Sequence, residues 1–292
     1  MTAMGPREIG RVRRLAERAL CDRLRTLKGD VFDRACRLTS ERDALVDTLS
    51  DCARRHALED VAQGDGSELR SPKDPTLQPR FHSSRSSCAL AVNAFGLWRC
   101  DPSSLVVAGT DGFTELRFER KLPIAGCNGR IPPNLDVFAA GTAGNVAVES
   151  KLLEYMSLAP PPSISPAYAT AIASLADESW RAQIEARGSG GFQFFRAGQI
   201  IKHYLGLKSA RPASALLVYL HWEPLDHDQH PLFAQHRSEV DLFAAAVSDE
   251  AVTFVALTYA ELFASWERLQ RPDIGAHVAG LRERYDVSIF GS

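Results

Sequence analysis

The sequence predicts an α/β fold, and three stretches carry that prediction. Phe113-Thr-Glu115-Leu-Arg117-Phe-Glu119 alternates in the manner of a half-buried strand. Ile131 to Lys151 holds two short apolar runs around Gly141-Thr-Ala-Gly144, which reads as a β-hairpin with a four-residue loop. Ala215 to Trp222 is a near-continuous apolar run, as expected of a strand covered on both faces.

Taken in order, residues 7–38 carry Val12, Leu15, Ala16, Ala19, Leu20, Leu24, Leu27 and Val31 at helical spacing. Thr39-Ser40 followed by Asp43 resembles a helix start, with a second amphipathic stretch through Leu45, Leu49 and Cys52. Arg11, Arg13, Arg14 and Arg18 would suit a DNA-binding or dimerisation arm. Glu8, Glu17 and Asp22 dilute that charge, so a helical layer with a solvated face is the better reading. Residues 63–87 are rich in Gly, Ser, Pro and charge, and they mark a loop. The expected division is a helical segment over 1–62, a linker over 63–85 and one α/β domain over 86–292.

Within that domain Ser86 caps a buried helix, and the strand at Phe113 and the hairpin follow, with the second hairpin strand finishing over Lys151 to Met156. A Pro-rich interruption (Pro160 to Pro166), helical material to Arg187 and a break at Gly188-Ser-Gly-Gly191 come next. A helix over Ala197 to Leu205, the buried strand, a helix from Ser238 to Val247, a strand from Val252 to Leu257 and a helix from Tyr259 to Leu269 complete the order.

Composition sets the outer limits. The 292 residues are 45% hydrophobic and 24% charged, as in an ordinary globular protein of one large domain or a domain with an appendage. A net charge of −2 and a pI near 6.5 exclude a surface that is basic throughout, but not a basic groove. The six cysteines (21, 36, 52, 88, 100 and 127) form no CxxC pair and no zinc-type spacing, so reduced thiols are expected. No apolar run has transmembrane length, and the N-terminus is charged, so a cytoplasmic protein without a membrane partner is expected.

The chemistry concentrates in the hairpin. If its loop closes as written, Ala140 pairs with Asn145, Phe138 with Ala147 and Asp136 with Glu149. Asp136, Glu149 and Lys151 then share one face, with Leu135, Val137, Val146 and Val148 on the other. Two carboxylates and an ammonium on the apolar middle of a sheet need a reason, and a hard divalent cation such as Mg²⁺ supplies one.

Pro133-Asn-Leu-Asp136 and Glu149-Ser-Lys151 together resemble the motif of the PD-(D/E)xK nuclease superfamily, although here the Asp does not directly follow a Pro. The order of elements from residue 86 resembles the α-βββ-α-β core of that restriction-endonuclease-like fold, a mixed central sheet flanked by helices. The resemblance covers roughly residues 80–265. It implies a Mg²⁺-dependent deoxyribonuclease, with Mn²⁺ as a substitute ion and DNA as partner. Asp136, Glu149 and the Ser150 carbonyl would be metal ligands, and Lys151 would orient or help deprotonate the attacking water. It also implies 5′-phosphate ends, and it leaves a homodimer open because many relatives dimerise to cut both strands. The alternative is a nuclease-fold module that binds nucleic acid or protein without turnover.

Further candidates follow from position. Glu119 lies on the strand entering the hairpin, where the family often places another acid; Glu115, on the same face but farther from the hairpin, is its rival. Gln199, Lys202 and His203 could bring donors to a phosphate from the helix after the hairpin, an exposed polar helix face being the blander reading. RecB-type relatives carry a Gln with a Tyr four residues on, whereas here His203 takes the fourth place and Tyr204 the fifth. Glu154 either joins the site or ends the strand. His221-Trp-Glu223-Pro-Leu-Asp226-His-Asp228-Gln-His230 resembles a metal cluster and would suit a zinc hydrolase. It fits neither HExxH nor a zinc spacing, so a polar loop after a buried strand is the preferred reading.

Overall fold

The structure is a computed structural model that describes residues 4–29, 31–64, 68–127, 132–159, 164–187 and 191–291. Ile131, residues 65–67 of the expected linker, 160–163 of the Pro-rich interruption and 188–190 of the glycine break lie outside the described residues.

Among the described residues, five strands stand side by side in chain order: β1 (Phe113–Lys121), β2 (Asn134–Gly141), β3 (Gly144–Lys151), β4 (Ala215–His221) and β5 (Val252–Thr258). β1, β2 and β3 pair antiparallel, whereas β3, β4 and β5 pair parallel, so the sheet is mixed. The hairpin register is the expected one, with Ala140 opposite Asn145 and Phe138 opposite Ala147. The loop is tighter than expected, because Gly141 pairs with Gly144 and leaves only Thr142 and Ala143 to turn. Glycine is required at both ends. Gly144 has φ +141°, and a Cβ on Gly141 would collide with the Gly112 carbonyl.

The parallel pairs need crossovers, which helices supply. α4 (Ala169–Leu175), α5 (Glu178–Arg187) and α6 (Ala197–Ala210) connect β3 to β4, and α7 (Pro231–Ala246) connects β4 to β5. These four pack on one sheet face around Phe138, Ala147, Leu217 and Tyr219. The other face carries Val137, Ala139, Val146, Val148, Val218 and Leu220. It is covered by α1 (Pro6–Lys28), α2 (Asp51–Gln63), α3 (Ser87–Phe95), α8 (Tyr259–Glu267) and α9 (Pro272–Tyr285). Val12, Leu20, Ala57 and Val61 of the first two helices thus share one core with the sheet.

Several expectations need correction. The first helix stops at Lys28, where Gly29 turns the chain at φ 74°. The second begins at Asp51 under a Ser50 cap, not near Thr39; Leu45 and Leu49 are buried from turns instead. β3 ends at Lys151 because the Glu154 carboxylate draws in the amides of Leu152 and Leu153, at 2.8 and 3.0 Å. α7 starts at Pro231, seven residues ahead of Ser238, since proline suits a first helical turn. α9 had no counterpart in the sequence reading. Four cysteines pair as Cys21–Cys36 and Cys52–Cys100, with Cα separations of 6.2 and 6.7 Å, while Cys88 and Cys127 are thiols. The expectation of six reduced thiols therefore does not hold, because sequence spacing does not report which loops folding brings together. No described helix is long and apolar enough to cross a membrane.

Candidate active site

Pairing of β2 with β3 runs from Gly141–Gly144 to Val137–Val148 and stops there. One step farther, where Asp136 and Glu149 would face each other, the Asp136 carboxylate takes over the ladder. Its Oδ2 accepts the Ser150 amide at 2.6 Å. A residue's N–H and C=O point to the same strand edge, so the Ser150 carbonyl also faces Asp136. Alternation on β2 breaks at this point, and Leu135 packs in the cluster of Phe138 rather than beside Val137 as expected. On the other side, Phe118 pairs with Val137 and Arg120 with Leu135, which brings Glu119 level with Asp136. Glu119 sits at φ 51°, a conformation unfavourable for a side chain with a Cβ and one that clusters at functional sites. Its Oε2 accepts Asn134 Nδ2 at 3.0 Å. Gly64 makes room for it, since a Cβ there would lie 2.7 Å from the Glu119 Cβ.

Glu149 and Lys151 point to the face covered by α6, and both are buried, at 1% and 8% exposure. Lys151 Nζ donates to Glu149 Oε1, and at 3.1 Å to Gln199 Oε1. The second oxygen of Glu149 lies 2.7 Å from His203 Nε2. Gln199 and His203 are one helical turn apart and meet the same pair of strand residues. Tyr204 is turned away; its ring stacks on Trp180 at 3.8 Å and its hydroxyl donates to Asp249 at 2.6 Å. His203 was expected only as a donor toward a phosphate and not as a partner of Glu149, although its i+4 spacing from Gln199 was the available signal.

The acids respond unequally to this surrounding. Burial, then the charge of Glu149, pushes Asp136 well above the usual carboxylate range. Burial also raises Glu119, against hydrogen bonds from Asn134 and Cys88. Glu149 is the exception: burial opposes its charge, but Lys151 and His203 outweigh that and hold it at about 2. Burial would lower Lys151, yet Glu149, Glu154 and Asp136 raise it, so it stays an ammonium. The buried Cys88 thiol is pushed up by burial and by Glu119, Asp136 and Glu68.

Other candidates fall outside this cluster. Lys202 lies over the Tyr168 ring at 5.7 Å, and Glu115 pairs with Arg117 at 3.0 Å. Glu154 caps the end of β3 and, with Glu68, lines a cavity of about 370 Å³ that also presents Arg13, Arg37, Arg80 and Arg85. Burial and then Glu154 among its neighbours' charges raise Glu68, which in turn raises Glu119, so cavity and acids form one electrostatic unit. Only Arg13 was singled out from sequence. Arg80 and Arg85 come from the stretch expected as a linker, and Arg37 from the end of the stretch read as the first helix, where nothing marks them for a site.

A model of the family described as restriction endonuclease associating with ARP matches residues 32–286. The chain belongs to that family. This agrees with the restriction-endonuclease-like resemblance carried by Asp136, Glu149 and Lys151, and it makes the chain a nuclease-like module. No curated protein and no solved structure matches the chain.

Proposed function

We propose that the protein is an endonuclease that hydrolyses DNA phosphodiester bonds with a divalent cation, Mg²⁺ by preference and Mn²⁺ as a substitute. The carrying observation is the meeting of Asp136, Glu149 and Lys151 where β2 parts from β3, in a chain of a restriction-endonuclease family. The succession α3, β1, β2, β3, α6, β4 supports assignment to the α-βββ-α-β core.

The residues suit a hard cation. Glu149 raises the pKa of both Asp136 and Glu119, and Glu119 raises that of Asp136, a like-charge crowding that an ion would relieve. The Ser150 carbonyl adds a neutral oxygen at the same edge, and Asn134 Oδ1 is buried without a hydrogen-bond partner. When bound, such an ion supplies an activated water and offsets charge on the phosphoryl oxygens. The chain's own part is to hold that arrangement. Asp136 and Glu149 fix the ligand oxygens, His203 orients Glu149, and Gln199 holds Lys151 where its ammonium can meet the attacking water and the developing charge. Arg37, Arg80 and Arg85 give the neighbouring cavity the positive lining that a DNA backbone requires, despite the chain's net charge of −2.

The test is cleavage of supercoiled and linear DNA by wild type and Lys151→Ala, with Mg²⁺, Mn²⁺ or EDTA. Nicking of closed circles that is lost in EDTA and reduced roughly 10²–10³-fold in the variant is expected. Undiminished cutting by Lys151→Ala would overturn the assignment. So would the absence of both cutting and Mg²⁺ binding in the wild type, which would make the chain a binding module.

A further inference from the structure

One strand over from the acid cluster, the structure gathers a second group of ligating side chains for which the nuclease reading has no use. β4 ends with His221 directly opposite Lys151. Glu223 follows two residues later, and His236 projects from α7 onto the same place. One ligand atom from each of the three lies within 4.8 Å of the other two. His221 and His236 are 3% and 0% exposed, and the Glu223 side chain is 5% exposed.

The polar atoms of this group are not satisfied by the protein. Both ring nitrogens of His221, Oε1 of Glu223 and Nδ1 of His236 are buried without a hydrogen-bond partner among the described residues. Buried polar atoms are ordinarily paired, and orphans on all three residues of one cluster call for an occupant. His221 Nε2 approaches Glu223 Oε1 to 3.5 Å, outside hydrogen-bond geometry, and Arg237 Nε reaches the same oxygen only to 3.4 Å from the solvent side.

The surroundings hold the ligand atoms in place. His236 stacks on Tyr155, with ring centres 4.1 Å apart, and its Nε2 hydrogen-bonds the Tyr219 hydroxyl at 3.0 Å. That bond fixes which nitrogen is left for a ligand, namely the orphaned Nδ1, in the manner of an outer partner of a metal-bound histidine. The Tyr219 ring also stacks beside His221, at 5.5 Å between centres. His221, Glu223 and Arg237 line a cavity of about 430 Å³, which gives an ion access from the surface.

We propose that His221, Glu223 and His236 form a binding site for a divalent transition-metal ion, separate from the Asp136–Glu149 site. Two imidazoles and one carboxylate suit Zn²⁺ or Fe²⁺, whereas Mg²⁺ prefers an all-oxygen set such as that of Asp136 and Glu149. The ion would tie the end of β4 to α7 on the face that carries Lys151.

Metal analysis of the purified full chain, followed by Co²⁺ titration of chelator-stripped protein, tests the site. About one Zn²⁺ or Fe²⁺ retained per chain and a visible Co²⁺ absorption band that saturates at one equivalent are expected. Whichever ion is retained identifies the metal, and either one supports the site. Asp136→Ala should keep the band, which separates this site from the nuclease cluster whether or not that cluster cuts DNA. Tyr219→Phe should weaken binding about 10–100-fold, and Glu223→Gln at least as much. These two variants carry the test should His236→Gln fail to fold. A wild-type chain with no retained transition metal and no Co²⁺ band would overturn the proposal. Full-strength binding by Glu223→Gln and Tyr219→Phe would do the same.

Discussion

His203 offers the sharpest test of how the acid cluster is held. Its Nε2 lies 2.7 Å from Glu149 Oε2, and both side chains are 1% exposed. With Glu149 held at about 2, its carboxylate can only accept, so Nε2 carries the proton and donates. His203→Ala removes that donor and leaves a carboxylate oxygen in a dry site. A hydrogen bond to a charged group contributes about 1.5–3 kcal/mol, and an orphaned buried acceptor costs a similar amount. A loss of about 2–3 kcal/mol is therefore expected, read as a fall in the urea midpoint at unchanged slope.

The pH dependence has a definite sign. A depressed carboxylate contributes stability above its ordinary value, and loses it as pH falls from 4.5 to about 2. His203→Ala moves Glu149 back toward the ordinary range, so the difference in stability between wild type and variant shrinks as pH falls through that window. Cleavage should lose its acid limb at a higher pH for the same reason. His203→Gln places a side-chain N–H near the same position and should recover most of both effects. An alanine variant as stable as wild type at neutral pH, or a glutamine variant as impaired as alanine, would refute this account of Glu149.

Asp136→Asn removes a carboxylate that burial and Glu149 push upward, so the metal-free protein should gain about 0.5–2 kcal/mol at neutral pH, while stabilisation by Mg²⁺ disappears. Because Asp136 must ionise to bind the ion, Mg²⁺ binding should release protons and tighten as pH rises; calorimetry in buffers of different ionisation enthalpy measures this. Gly64→Ala drives a Cβ to 2.7 Å from that of Glu119 and should cost about 1–3 kcal/mol by thermal melting, with a loss of cleavage larger than that of an alanine elsewhere on the surface. Arg85→Ala should weaken DNA binding alike across sequences and lower the salt slope of the affinity by about 1.

What the sequence made legible follows from where local pattern governs. The hairpin register was readable because alternation and two glycines leave one way to pair Phe138 with Ala147. Asp136, Glu149 and Lys151 could then be put on common ground by counting. Leu135 was misplaced because counting assumes that alternation continues. Here the Asp136 carboxylate replaces a ladder acceptor and the strand departs from it. His203 was read only as a phosphate donor; its contact with Glu149 was within reach of an i+4 rule but lost to a family pattern that asks for tyrosine. The arginine cavity was out of reach: Arg37 sits in an isolated bridge to Ser83, Arg80 in a short 3-10 helix and Arg85 in a turn, and the positions of such pieces depend on which core they pack against. The His221, Glu223, His236 group failed the spacing test for a similar reason, since its third member comes from α7 and not from the polar run that drew notice.

The acid cluster also shows why a lone ExK triplet says little while this one says more. A strand-surface Glu–Lys pair in water would contribute up to about 1 kcal/mol and would need no further partners. Here the pair is nearly fully buried, and each member is held by a second group, His203 for Glu149 and Gln199 for Lys151. Two more acids, Asp136 and Glu119, are left with raised pKa values beside it. For stability alone, apolar residues of similar volume would serve as well or better at such a site. The one ammonium already neutralises Glu149, so the acids in surplus are Asp136 and Glu119. That surplus is what distinguishes a site prepared for an added cation from a closed salt bridge, and Asp136→Asn is the substitution that removes it.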